Sequence, residues 1–157
     1  HLDNAFIFSG ALWHNNDDVL SFEPHQVGNK STNIARESKG KINTGCITLD
    51  KYCQIRNIYP NILKIDVEGA EAKVLRGAEK IAKYVEIILL EIHPGLIEVD
   101  EIEFIINFLS SNKYKLQLIK NHKKKYELVS ISSEEIKYIS EHSMIFCNKN
   151  DTEEYEN

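Results

Sequence analysis

NILKIDVEGAEAKVLRGAEKIAKYVEIILLEIHP, residues 61–94, reads as one complete strand–helix–strand unit with acids gathered at one end. Asn61 to Asp66 is short and apolar (Ile62, Leu63, Ile65), which suits a buried parallel strand. Val67 to Gly69 turns the chain. Helical spacing then predicts a helix over 69–83, with Val67, Ala70, Val74, Ala78 and Ile81 on one stripe. A second apolar strand, 86–92, is stopped by His93-Pro94. A helix of about fifteen residues rises roughly 22 Å, enough to carry the chain back along a short strand. Such crossovers are right-handed, and their strands usually neighbour. Asp66 thus closes one strand, while Glu91 and His93 close the next, two residues apart and on one face. Ligands of open α/β sheets bind outside the carboxyl ends of the strands. Two acids and an imidazole therefore converge where such sheets do chemistry.

Most of these residues also have a purely structural reading. Glu68 and Glu71 fall in the first helical turn, where carboxylates favour the positive end of the macrodipole. Asp66 can cap the helix, and His93 can be an ordinary loop histidine. Glu91 stands apart, because it interrupts an apolar run in a central strand. A carboxylate there needs a partner or a task.

The surrounding chain is that of a small soluble protein. Its 157 residues suit one α/β domain over 1–150, followed by a polar tail at 151–157. Hydrophobic content of 42% and charged content of 27% are ordinary for a globular chain. A net charge of −5 disfavours nucleic acid as a partner. No apolar run is long enough to span a bilayer and no secretory leader appears, so the expectation is a cytoplasmic chain without membrane attachment. Cys46, Cys53 and Cys147 form no CxxC pair, which fits reduced thiols. Strands are expected at 5–8, 19–22, 42–47, 114–119, 126–131 and 144–147, and helices at 50–57, 99–111 and from Ser132 or Ser133 to 140. The stretch 23–41 reads as a long loop carrying specificity. Lys120 to Lys125 reads as a solvated hairpin tip or, alternatively, a phosphate-facing patch.

Ile47-Thr-Leu-Asp50, Leu63-Lys-Ile-Asp-Val-Glu-Gly-Ala-Glu71, Val74-Leu-Arg-Gly-Ala78 and Leu89-Leu-Glu-Ile-His93 together carry a likeness. On these motifs the chain resembles the FkbM-type family of S-adenosylmethionine-dependent methyltransferases. The resemblance implies a Rossmann-like class I methyltransferase sheet, mostly parallel with an antiparallel C-terminal strand. It also implies O-methylation of a small-molecule or sugar hydroxyl. The family holds its cofactor with a glycine-rich turn after the first strand and an acid after the second, and this sequence has neither. The expectation is that the N-terminal β/α units are missing and that S-adenosylmethionine binds this chain weakly or not at all. Residues 5–12 then match the family's third strand, which places Ser9, Gly10 and Ala11 where adenine would lie. Exposed strand edges would favour a homo-oligomer.

Within that resemblance Asp66 or His93 is the base that takes the hydroxyl proton. Glu91 orients His93 or holds the acceptor, and Glu68 and Glu71 support them. A metal-assisted version has Asp66, Glu91 and His93 holding a divalent ion, a donor set better suited to manganese, iron or zinc than to magnesium. A reading from another class is a non-catalytic methyltransferase-like remnant that binds a partner protein through an open sheet edge.

Overall fold

The computed structural model describes residues 4–22, 42–122 and 125–149. The predicted 23–41 loop, Lys123 and Lys124 of the basic tip, and the 151–157 tail lie outside the described residues. In chain order the elements are β1 (Ala11–Leu12), β2 (Val19–Phe22), β3 (Ile42–Ile47), α1 (Leu49–Arg56), β4 (Ile62–Ile65) and α2 (Glu71–Arg76). A 3-10 turn (Ile81–Tyr84) leads to β5 (Ile87–Ile92), α3 (Val99–Ser111), β6 (Lys115–His122) and β7 (Lys125–Ile131). A second 3-10 turn (Ser133–Tyr138), where a helix was expected, precedes β8 (Ser143–Asn148).

Two sheets form, ordered β1-β3-β2 and β4-β5-β8-β6-β7. The predicted parallel pair is present: β4 lies beside β5 with Ile65 opposite Leu90. The chain is mixed α/β, but the expectation of a mostly parallel sheet is corrected. Only β4·β5 and β1·β3 pair in parallel among the described strands. The rest is antiparallel, because β7 folds back on β6 as a hairpin and β8 returns between β5 and β6. Since β8 opposes both neighbours, β4, β5 and β6 share one direction.

The period of two in β5 decides where the core sits. Ile88, Leu90 and Ile92 are fully buried and join Ile65, Ile145 and Cys147 against Leu75 of α2, Ile105 and Leu109 of α3, and Ile136. Each such aliphatic side chain stabilises the fold by roughly 1.5–3 kcal/mol relative to exposure. On the opposite face Ile87, Leu89, Met144 and Phe146 are only half-buried. Glu101, in the first turn of α3, accepts from the Glu98 N–H at 3.3 Å and pairs with Lys73 Nζ at 2.7 Å. That pair ties α2 to α3. No helix among the described residues is long and apolar enough to cross a membrane.

Two expected elements are shorter than predicted. The helix expected over 69–83 stops at Arg76, and the chain turns before the 3-10 turn at 81–84. Gly77 sits at the break under a close approach: a Cβ there would lie 2.2 Å from the Trp13 carbonyl oxygen, so the position requires glycine. Asp50 secures the turn, its N–H donating to the Gly77 carbonyl at 2.8 Å. The Asp50 carboxylate accepts from the Lys80 and Ile81 N–H groups at 3.0 and 2.9 Å. The apolar stripe survives the break, with Ala70, Val74, Ala78 and Ile81 all buried. At the other end, 5–8 is not a buried strand; Phe6 and Ile7 are exposed. Only Ala11 and Leu12 find partners there, Cys46 and Ile47 of β3. A second small core of Trp13, Leu20, Cys46 and Ala70 fastens the three-stranded sheet to the turn after β4.

Candidate active site at the ends of two parallel strands

Because β4 and β5 are parallel and in register, the residues that follow them leave the sheet side by side. Lys64 and Asp66 share a face, and the Lys64 ammonium donates to Asp66 Oδ2 at 2.6 Å while lying 3.7 Å from Glu91 Oε2. That ammonium, foremost, holds the Asp66 carboxyl below the usual carboxylate range, against the smaller opposing effect of burial.

The turn after β4 aims the next acids. Glu68 and Gly69 both adopt the left-handed region, at φ 52° and 95°. At Gly69 a Cβ would also lie 2.7 Å from Leu96 Cβ, so this position requires glycine. The double bend points Glu71 back toward the strand ends. Its Oε1 accepts from the Gly69 N–H at 3.1 Å and sits 2.7 Å from His93 Nδ1. Glu71 is completely buried and His93 only 6% exposed. A carboxylate on Nδ1 favours the tautomer that carries its proton there, leaving Nε2 as an acceptor. His93 Nε2 is 3.1 Å from Glu68 Oε2 but lacks the alignment of a hydrogen bond, and it is left without a hydrogen-bond partner.

His142 completes the cluster from the other side. The β5·β8 register pairs Ile92 with Ser143, and one further step sets residue 142 across from residue 93. The two imidazoles stack with centroids 4.4 Å apart and planes 24° from parallel. His142 Nε2 pairs with Glu91 Oε1. The ligand atoms of Glu91, His93 and His142 lie within 4.8 Å of one another, as do those of Asp66, Glu68 and His93. Asp66, Glu68, Glu91 and His93 are thus brought together, while the predicted metal trio of Asp66, Glu91 and His93 is divided between two groups that share His93.

Ser9, Gly10 and Ala11 fare differently. Ser9 and Gly10 are exposed, and Ala11 begins β1. The space above Gly10 is taken by the Phe8 ring, 2.5 Å from where a Cβ would stand. The Phe8 ring thus covers the backbone at Gly10.

Sequence reasoning gave Glu71 a supporting place when it is the buried anchor of His93, and it passed over Lys64 and His142. Glu71 had no signal of its own, since acids are common in first helical turns. His142 had no local signal, since its place follows from the order of strands.

The sequence pattern of the methyltransferase FkbM domain matches residues 6–116. The chain is 31% identical over 78 residues to the hexuronic acid methyltransferase AglP of Haloferax volcanii. That match covers 49% of this chain and 32% of the relative, so the chain spans about a third of the relative's length. No solved structure matches the chain. With the FkbM pattern running through both parallel strands and the carboxylate–imidazole cluster at their ends, the chain belongs to the FkbM methyltransferase domain family.

Proposed function

We propose that this chain forms the acceptor side of an S-adenosylmethionine-dependent methyltransferase that O-methylates a hydroxyl of a small molecule or sugar. The Glu71–His93 pair carries the reading: a buried carboxylate 2.7 Å from Nδ1 fixes an imidazole whose other nitrogen faces a cluster of acids. His93 takes the hydroxyl proton as the methyl group is transferred, and Glu71 is its positioning residue. Asp66 and Glu68 hold the acceptor, and Glu91 sets His142 against the His93 ring. General-base help of this kind is worth about 10²–10⁴ in rate. A sugar acid joins the candidate acceptors through the similarity to a hexuronic acid methyltransferase. The class I Rossmann-like sheet is supported by the common direction of β4, β5 and β6 with β8 antiparallel between them. The three buried free thiols fit a reducing, cytoplasmic setting.

The test is transfer of labelled methyl from S-adenosylmethionine to a hexuronic-acid oligosaccharide by the full protein. His93→Gln is expected to lose at least ~100-fold in kcat with the fold retained by circular dichroism, and Glu71→Gln to flatten the pH profile of kcat. Unchanged rates in both variants would overturn the assignment. The filled space above Gly10 and the half-buried face of Ile87, Leu89, Met144 and Phe146 favour a second reading, a non-catalytic module that binds a partner chain. On that reading the wild-type protein transfers no methyl at all.

A further inference from the structure

We infer that Glu91, His93 and His142 form a divalent-cation site, anchored from behind by Glu71 and selective for manganese-, iron- or zinc-like ions over magnesium. The donor set comes from two ends of the fold: Glu91 and His93 from the end of β5, His142 from the residue before β8. The β5·β8 register holds the two histidines across from one another. Their ligand atoms and that of Glu91 lie within 4.8 Å. Ligands about 2.0–2.1 Å from a tetrahedral zinc stand roughly 3.4 Å apart, so binding an ion asks the Glu91–His142 pair to open and the stacked imidazoles to turn until both nitrogens face it.

His93 is prepared for this task. Its Nδ1 is held by the buried Glu71 carboxylate, the carboxylate–histidine–metal arrangement that sets ring orientation and strengthens the donor. Its Nε2 is buried and without a hydrogen bond. Charge points the same way. Asp66 and Glu91 lie against the Lys64 ammonium while Glu68 and Glu71 lie against His93, so carboxylates outnumber ammonium groups in these pairs, a surplus of negative charge that a dication offsets. Of the two groups that share His93, the one with His142 is the better site. Asp66 in the other group is already tied to Lys64 at 2.6 Å, and two imidazoles with one carboxylate suit transition metals. With an ion bound, His93 Nε2 is a ligand and no longer takes the hydroxyl proton, so the ion-bound and base-competent forms of His93 are alternatives; binding of the ion does not rest on the methyltransfer reading.

The experiment is calorimetric titration of the full protein with zinc, manganese or magnesium salts, with neither methyl donor nor acceptor present. One equivalent of zinc or manganese is expected to bind more tightly than magnesium. His142→Gln, an exposed change that leaves the core untouched, should weaken it at least ~10-fold, and Glu71→Gln ~10–100-fold. Lys64→Met, which removes the competing cation, should tighten it. The inference is overturned if zinc and manganese fail to bind at millimolar concentration, or if His142→Gln binds them as well as the wild type does. Because nothing in the titration requires methyl transfer, a failure here leaves the proposed activity standing. Intact metal binding in a protein that methylates nothing even after the ion is removed by chelation would count against the activity alone.

Discussion

Asp66 shows how one residue can be legible in the sequence while its partner is not. Its carboxyl is held below the ordinary range chiefly by the Lys64 ammonium. A depressed native value means that the pair stabilises the fold above the unfolded aspartate range, about 4, and that this contribution fades as pH falls through the lower native value. Both side chains are more than one-third exposed, so the effect on stability is small. The measurable consequence is in titration: Lys64→Met should return the Asp66 carboxyl toward ordinary values, followed by carbon-13 NMR of the side chain. No movement would show that Lys64 is not its partner. Asp66, Glu91 and His93 could be picked out in the sequence because polar groups closing apolar strands are conspicuous. Glu71 could not, since first-turn acids are common on exposed helix ends, and only the left-handed bend at Glu68 and Gly69 turns this one inward.

At the scale of the element, the break after α2 is the informative case. Val74 to Lys83 keeps its apolar period, and one glycine inside a helix costs only about 1 kcal/mol relative to alanine, so nothing local announces the stop. At the stop the Trp13 carbonyl, sixty-four residues earlier in the chain, is pressed against Gly77. Gly77→Ala is therefore expected to destabilise the protein by about 1–3 kcal/mol, read as a lower urea midpoint at an unchanged slope. A variant as stable as the wild type would mean that Trp13 yields freely. The same dependence on distant partners bears on the 5–8 stretch, whose apolar residues read as a strand but which, among the described residues, pairs with no strand before Ala11.

For the whole molecule, the parallel pair and the amphipathic α3 were readable because their signals are local and periodic. The placement of β8 was not, since antiparallel pairing across more than fifty residues leaves no trace in either strand alone. Burial makes a further expectation testable on the entire fold. Cys46, Cys53 and Cys147 are all free and buried, and burial raises each thiol, that of Cys147 to about 12. Alkylation at neutral pH followed by mass spectrometry should label none of the three quickly in the native protein and all three in denaturant; fast native labelling of Cys147 would contradict the packed core. The position of β8 also bears on how the protein is made. Of the five strands in its sheet, the latest to leave the ribosome is the one that belongs in the middle. Until Ser143–Asn148 emerges, β5 and β6 have no shared neighbour and His93 has no facing ring, so assembly of the sheet and of the acidic hollow is a late event in synthesis, and nascent chains halted before it are natural clients for chaperones.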